Sequence, residues 1–302
     1  MAKKQTIKQE KKPLASVKNE RYSMSKAKDN GVSMKIIVPA NEVEEVRKKV
    51  IGNLVKDVTV AGFRKGQAPI HIAQNKIPKE KIKEEILRDI LTREYVEAVK
   101  KFEVKPIINP QIHIETFDDG TDLEFVADTA EEPVIKLNNY KDKVKGVNAK
   151  SKIIVPHSAN STQTQEENKK PSAEEIFDAV LEGSEITIPK VLIDQETNRL
   201  VSHFLEELQK LGITLEQYLA SQNKKSEEIK EEYEKRAERD LKIEFALRKI
   251  ADEEKITAEQ ADIEQAINSV VDETQKAQII QNPYLLATII KQQKTIDFLT
   301  NL

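Results

Sequence analysis

A chain of 302 residues with 33% charged residues, 5% aromatics and only 8 glycines has room for two or three domains, and this composition favours long solvated helices over a compact all-β or glycine-rich nucleotide-binding fold. A net charge of −3 gives no global nucleic-acid signature, and the lack of cysteine excludes disulfides, thiolate catalysis and Cys-bearing zinc sites. No apolar run approaches the length of a membrane span and none follows the N-terminal lysines, so the expectation is a soluble, cytoplasmic protein with no leader and no membrane partner.

Residues 1–19 belong to a basic arm. Up to Lys28, nine Lys/Arg stand against Glu10 and Glu20, and without apolar periodicity the arm is expected to be disordered; arms of this kind often meet nucleic acid. Order is expected from about residue 20. Residues 21–28, the turn Asp29-Asn30-Gly31 and the alternating residues 32–38 read as a hairpin, because Asn-Gly supplies the positive φ angles of a tight turn. Asn41 with Glu44 three residues on is a capping-box variant, and Val43, Val46, Val50 and Leu54 recur at helical spacing.

The chain then reaches Ala61-Gly62-Phe63-Arg64-Lys65-Gly66-Gln67-Ala68-Pro69. Gly62, Gly66 and Pro69 make this a loop that neither helix nor strand absorbs. At its tip Phe63 is out of place unless something apolar receives it, while Arg64 and Lys65 together suit phosphate or carboxylate. Read as chemistry, the stretch is a docking knuckle; read as structure alone, it is a solvated turn with a half-buried Phe.

Pro69 suits the first turn of a short helix through Asn75, and after Pro78 a longer helix runs to about Phe102 with Ile82, Ile86, Leu87, Ile90 and Leu91 inward. The period then changes to two: residues 111–116 alternate, Asp118-Asp119-Gly120 turns, and Leu123, Phe125 and Ala127 alternate back. The order ββ-helix-loop-helix-ββ fits an α+β domain over 20–140, a small antiparallel sheet packed on helices. Residues 141–171 read as a linker, strand-like around Ile153-Ile154-Val155.

Residues 172–302 read as all-helical and elongated, with helical arms. Ser172/Glu175, Thr214/Gln217 and Thr257/Gln260 are capping boxes, and Gly183 and Gly212 are placed to end helices. A helix from near Pro189 carries Leu200, Phe204 and Leu208. A helix over 226–253 carries Ile229, Tyr233, Ala237, Leu241, Ile243, Leu247 and Ile250 amid dense charge, and a last one from about Pro283 carries Leu286, Ile289, Ile290 and Ile296.

Chemistry finds little footing. His71, His113, His157 and His203 are scattered singly, no phosphate loop, GxSxG elbow or HExxH occurs, and carboxylate pairs such as Glu84-Glu85 sit on solvated helices. No catalytic residue, metal or cofactor is expected.

The loop, standing here as GFRKGQAP, resembles the ribosome-docking signature of the trigger factor family, bacterial chaperones at the polypeptide exit site. Residues 20–140 resemble that family's ribosome-binding domain. Residues 172–302 are similar to its helical substrate-binding domain through Ile186-Thr187-Ile188-Pro189-Lys190-Val191-Leu192-Ile193-Asp194 and the helix order that follows. The resemblance implies that Phe63, Arg64 and Lys65, framed by Gly62 and Gly66, meet ribosomal RNA and the protein beside the tunnel exit. It also implies that nascent polypeptides are held on the helical domain, for which Leu200, Phe204, Tyr233, Leu286 and Ile289 are candidates.

Two departures stand out. Gln67-Ala68 occupies the place of a further cation and an aliphatic residue. The FKBP-type prolyl isomerase domain usual in the family has no room, since residues 141–176 contain no Phe, Tyr or Trp to wall a prolyl pocket. The function expected is an ATP-independent, non-enzymatic chaperone that assists folding and export, with a free homodimer compatible with the pattern. The alternatives are an RNA-binding or ribosome-assembly protein on a helical scaffold, an isomerase with an unrecognised site, and an extracytoplasmic chaperone.

Overall fold

A computed structural model describes residues 16–18, 21–151, 171–269 and 283–302. The expectations for residues 1–15, for the Ile153-Ile154-Val155 patch and for His157 lie outside these. Two compact units emerge: Met1–Glu132 with Pro189–Leu192, and Pro133–Ile188 with Ile193–Leu302.

Unit one is built on an antiparallel sheet. Its strands are β1 (Ser16–Lys18), β2 (Tyr22–Lys26), β3 (Gly31–Val38), β4 (Gln111–Thr116) and β5 (Leu123–Ala130), in the order β1-β2-β3-β5-β4. Strict alternation makes β3 two-faced: Val32, Met34, Ile36 and Val38 are buried while the residues between them are half-exposed. The register sets Met34 opposite Ala127 and Ile36 opposite Phe125, so one face of the sheet is continuously apolar. Against that core pack α1 (Ala40–Leu54), through Val43, Val46, Val50 and Ile51, and α3 (Lys79–Phe102), through Ile82, Ile86 and Ile90. Each such side chain contributes about 1.5–3 kcal/mol on burial.

Several local expectations are corrected. Only Asn30 takes a positive φ (66°) in the first hairpin; Gly31 already belongs to β3, and its N–H donates to Asp29 Oδ1 at 3.0 Å. Asn41 lies inside α1, which starts after Pro39 with no side-chain cap of its own. The Ala40 N–H instead donates to Asp122 Oδ1 at 2.9 Å, a cap supplied from the turn before β5 and so invisible to local pattern. Ser16–Lys18 pairs with Ser23–Ser25 as an edge strand, within the arm expected to be disordered.

Among the described residues of this unit one charged group is buried. Glu94 of α3, 2% exposed, accepts from the Tyr22 hydroxyl at 2.7 Å, from Arg21 at 2.8 and 3.1 Å, and from Arg93 at 3.1 Å. Arg21 also donates twice to Glu42 of α1, at 2.7 Å each, so one guanidinium ties the start of β2 to both helices. Burial alone would raise Glu94, but the hydrogen bonds from Tyr22, Arg21 and Arg93 outweigh it and hold the carboxyl below its ordinary range. Tyr22 is pushed up to about 12, first by burial and then by its bond to Glu94.

Unit two is helical. It holds α4 (Tyr140–Ser151), α5 (Ala173–Glu182), most of α6 (Lys190–Lys210), α7 (Leu215–Gln222), α8 (Ser226–Glu253), α9 (Gln260–Ser269) and α10 (Pro283–Thr300), with a short antiparallel pair, β6 (Val134–Leu137) and β7 (Ser184–Thr187). Its core joins Tyr140 and Val144 of α4, Ile176, Ala179 and Val180 of α5, Ala246, Leu247 and Ile250 of α8, and Leu299 of α10.

The helix α4 overturns the expectation that the linker begins at residue 141. Its segment is polar enough to resemble a connector, yet Val144 is fully buried and the Asn148 side chain donates to Leu299 O at 2.9 Å. Gly183 does end α5, but not by a left-handed turn. Its φ is −86°, and a Cβ there would stand 2.4 Å from Tyr140 Cα, so the glycine admits the start of α4. The boxes at Ser172/Glu175 and Thr214/Gln217 form in full. The one expected at Thr257/Gln260 is replaced by a bond from the Glu259 N–H to Asp262 Oδ2 at 2.7 Å.

Candidate functional site

The loop between α1 and α2 (Ile70–Gln74) is held at both feet. Val60 and Ala68 are buried in the core of unit one, and α1 passes into a 3-10 turn, Val55–Asp57, beneath them. Inside the loop the Phe63 N–H donates to Val60 O at 3.1 Å, the Gln67 N–H to Arg64 O at 2.9 Å, and the Gly66 N–H to Val58 O at 3.3 Å. Gly62 and Gly66 both take positive φ, 87° and 74°. The second has an additional reason to be glycine: a Cβ on Gly66 would stand 2.7 Å from Lys56 O.

These constraints turn the tip outward. Phe63 is 42% exposed, and Arg64 and Lys65 are exposed, so the side chains singled out in the sequence share one protruding turn. Ala68 lies inward. Two further residues at the site escaped sequence reading. Ile70, beside Pro69 on α2, is an exposed aliphatic where helical pattern would bury it. Asp57 pairs with Lys65, Oδ1 to Nζ at 3.2 Å; eight residues apart across an irregular turn, this pair has no sequence signal.

The candidates of the helical unit divide. Phe204 of α6 packs edge-on against Tyr218 of α7 (ring centroids 5.0 Å) and tilted against Tyr233 of α8 (5.4 Å), so Phe204 and Tyr233 come together and spend much of their surface on each other. Leu200 and Leu286 are half-buried, whereas Ile289 is exposed on α10 beside Tyr284, at 79%, and Leu285. Leu205, Leu211 and Ile213, around the end of α6, are also exposed and were not anticipated; the sign available was an unpaired apolar cluster flanking Gly212. No group of three or more metal-ligating side chains converges among the described residues, and none of their helices is long and apolar enough to cross a membrane.

The fold and these features define a two-module protein, an α+β module presenting an aromatic-cation turn and a helical module presenting apolar side chains, whose distinctive groups lie on surfaces. The chain belongs to the trigger factor family: the model described as bacterial trigger factor protein matches residues 21–157, and that for the trigger factor C-terminus matches residues 157–301.

Similar curated proteins include the trigger factors of Carboxydothermus hydrogenoformans (35% identity over 45% of this chain), Staphylococcus carnosus (30% over 38%) and Streptococcus mutans (27% over 54%). The aligned stretches span 34%, 26% and 38% of those relatives' own lengths. A solved structure described under "Promiscuous Substrate Recognition in Folding and Assembly Activities of the Trigger Factor Chaperone" superposes with a TM-score of 0.58 over 91% of this chain and 98% of its own, at 15% identity, a likeness of fold.

Proposed function

We propose that this chain is a chaperone working without nucleotide, which docks at the ribosomal tunnel exit through Phe63, Arg64 and Lys65 and shields emerging polypeptides on its helical module. The observation that carries this reading is the loop: both feet are buried, two glycines fix its path, and an aromatic with two cations is left facing solvent. Such a turn contributes little to the core, so its composition is better explained by a partner offering an apolar recess and anions. Client contact is assigned to the exposed apolar residues, Ile289 with Tyr284 and Leu285 on α10, and Leu205, Leu211 and Ile213 around α6. Many weak apolar contacts hold an unfolded chain and release it as it buries its own surface.

The reading is tested by sedimentation with ribosomes. The full chain should co-sediment, and Phe63→Ala/Arg64→Ala/Lys65→Ala should abolish co-sedimentation without altering the melting curve; unchanged sedimentation sinks it. In parallel, the full chain should suppress aggregation of a refolding protein without ATP, and a prolyl-peptide assay should return the uncatalysed rate. The last expectation draws support from the two family models adjoining at residue 157, which leaves no segment between them for a separate catalytic domain.

A second reading, an RNA-binding protein whose helices are a scaffold, is favoured by one observation: the Phe204-Tyr218-Tyr233 cluster satisfies itself. Failure to protect any client, with ribosome binding retained, would move it ahead.

A further inference from the structure

The loop offers two cations, and their surroundings differ. Lys65 Nζ lies 3.2 Å from Asp57 Oδ1, whereas among the described residues no carboxylate is within ion-pair distance of Arg64. Asp57 is held close by construction. It closes the 3-10 turn, and the residues on either side of it lie against the returning limb of the loop: Val58 O accepts the Gly66 N–H, and Lys56 O approaches Gly66 so closely that a Cβ there would stand 2.7 Å away. With the backbone bonded at Val58 and packed at Lys56, the carboxylate stands where Lys65 emerges, and the pair forms at less than the usual ordering cost of a surface ion pair. Both partners remain open to solvent, 61% and 86% exposed, so an arriving anion can reach either one.

We propose that Asp57 is an internal competitor for Lys65: an RNA phosphate must displace this carboxylate to engage the lysine, while Arg64 meets the partner unopposed. The inference rests on the docking reading above and adds to it a residue that limits affinity. Exchange favours phosphate over a partner carboxylate. Swapping one carboxylate for another changes little, whereas a phosphate on a nucleic acid also releases condensed counterion when it is neutralised. Lys65 therefore adds less to docking than its charge promises, and Asp57 keeps the complex weak enough to turn over.

The test titrates full-length chains against ribosomes at several salt concentrations, comparing wild type, Asp57→Asn, Lys65→Ala and the double variant. Asp57→Asn is expected to bind about two- to fivefold tighter at low salt, the range a surface ion pair spans. Lys65→Ala should flatten the plot of log affinity against log salt by about 0.7–0.9, the increment for one neutralised phosphate. In the Lys65→Ala background the Asp57 substitution should change nothing. Equal binding by Asp57→Asn and wild type, a gain that survives in the double variant, or an unchanged salt slope in Lys65→Ala each overturns the proposal; the last would assign Lys65 to a protein carboxylate. Failure of the docking reading is seen separately, when the triple loop variant binds like wild type.

Discussion

The two units spend their apolar residues differently. In unit one the alternation of β3 and β5 and the stripes of α1 and α3 converge on a single core, and the buried charge Glu94 accepts from Arg21, Tyr22 and Arg93. Among the described residues of unit two a core gathers where α4, α5, α8 and α10 meet; α7 buries no residue, and it packs on α6 and α8 through the ring of Phe204. A sheet with one covered face fixes register and burial together, whereas helices joined by short turns can satisfy their backbone without covering their stripes. Unit one is therefore suited to hold a loop in a fixed place, and unit two to keep apolar surface available.

The contrast can be broken most directly in the two cores. Phe125→Ala, at the centre of the sheet, is expected to cost about 3–5 kcal/mol and to lower the urea midpoint of unit one. If unit two unfolds at the same shifted midpoint, the units are not independent and the comparison fails.

The buried charge gives a smaller effect with a pH signature. Glu94→Gln removes charge-assisted bonds and should cost about 1.5–3 kcal/mol at neutral pH. Because the folded Glu94 lies below its ordinary value, its stabilisation is present above an unfolded pKa of about 4.3 and is lost as pH falls through the folded value. Acid melts should show a steep loss of wild-type stability below about pH 4 and a flatter one in Glu94→Gln; parallel curves would remove Glu94 from the account. Tyr22 has the opposite sense. Raised to about 12, it contributes below pH ~10 and ceases to as the pH climbs through the folded value.

The loop separates its own two glycines. Gly62→Ala meets only the left-handed backbone penalty, about 1–2 kcal/mol, while Gly66→Ala adds a Cβ 2.7 Å from Lys56 O and should cost more and weaken ribosome binding further. Equal melting and binding for the two variants would deny the return limb its anchoring role. The smallest change in a global midpoint is expected in unit two. Phe204→Ala loses ring contacts worth about 0.5–1.5 kcal/mol each, and should appear as faster hydrogen exchange in α7 with little change in the global midpoint of the unit. A large midpoint shift would mean that the arm belongs to the core.

Much of the architecture was legible in the sequence. Periodicity placed α3 and α8 with their boundaries, the change to period two placed β4 and β5, and capping boxes placed α5 and α7, because these signals are local and act through the backbone's own hydrogen bonds. The loop was legible for the same reason: Gly62, Gly66 and Pro69 report backbone conformation directly. The helix α4 was not, since Tyr140, Val144 and Val147 are too sparse to signal burial without the partners that bury them.

What the sequence determined by itself was therefore the elements with a strong local signal, their order, and the two cations and aromatic at the tip of one turn. Tertiary structure decided the matters that depend on residues far apart in the chain. Asp122 caps α1, Arg21 binds Glu94 at a separation of 73 residues, and Gly183 yields to Tyr140. Each is a contact between side chain or backbone groups that no local preference brings together. Each forms only because the packing of the sheet on its helices, or of helix on helix, has already fixed where the two groups stand.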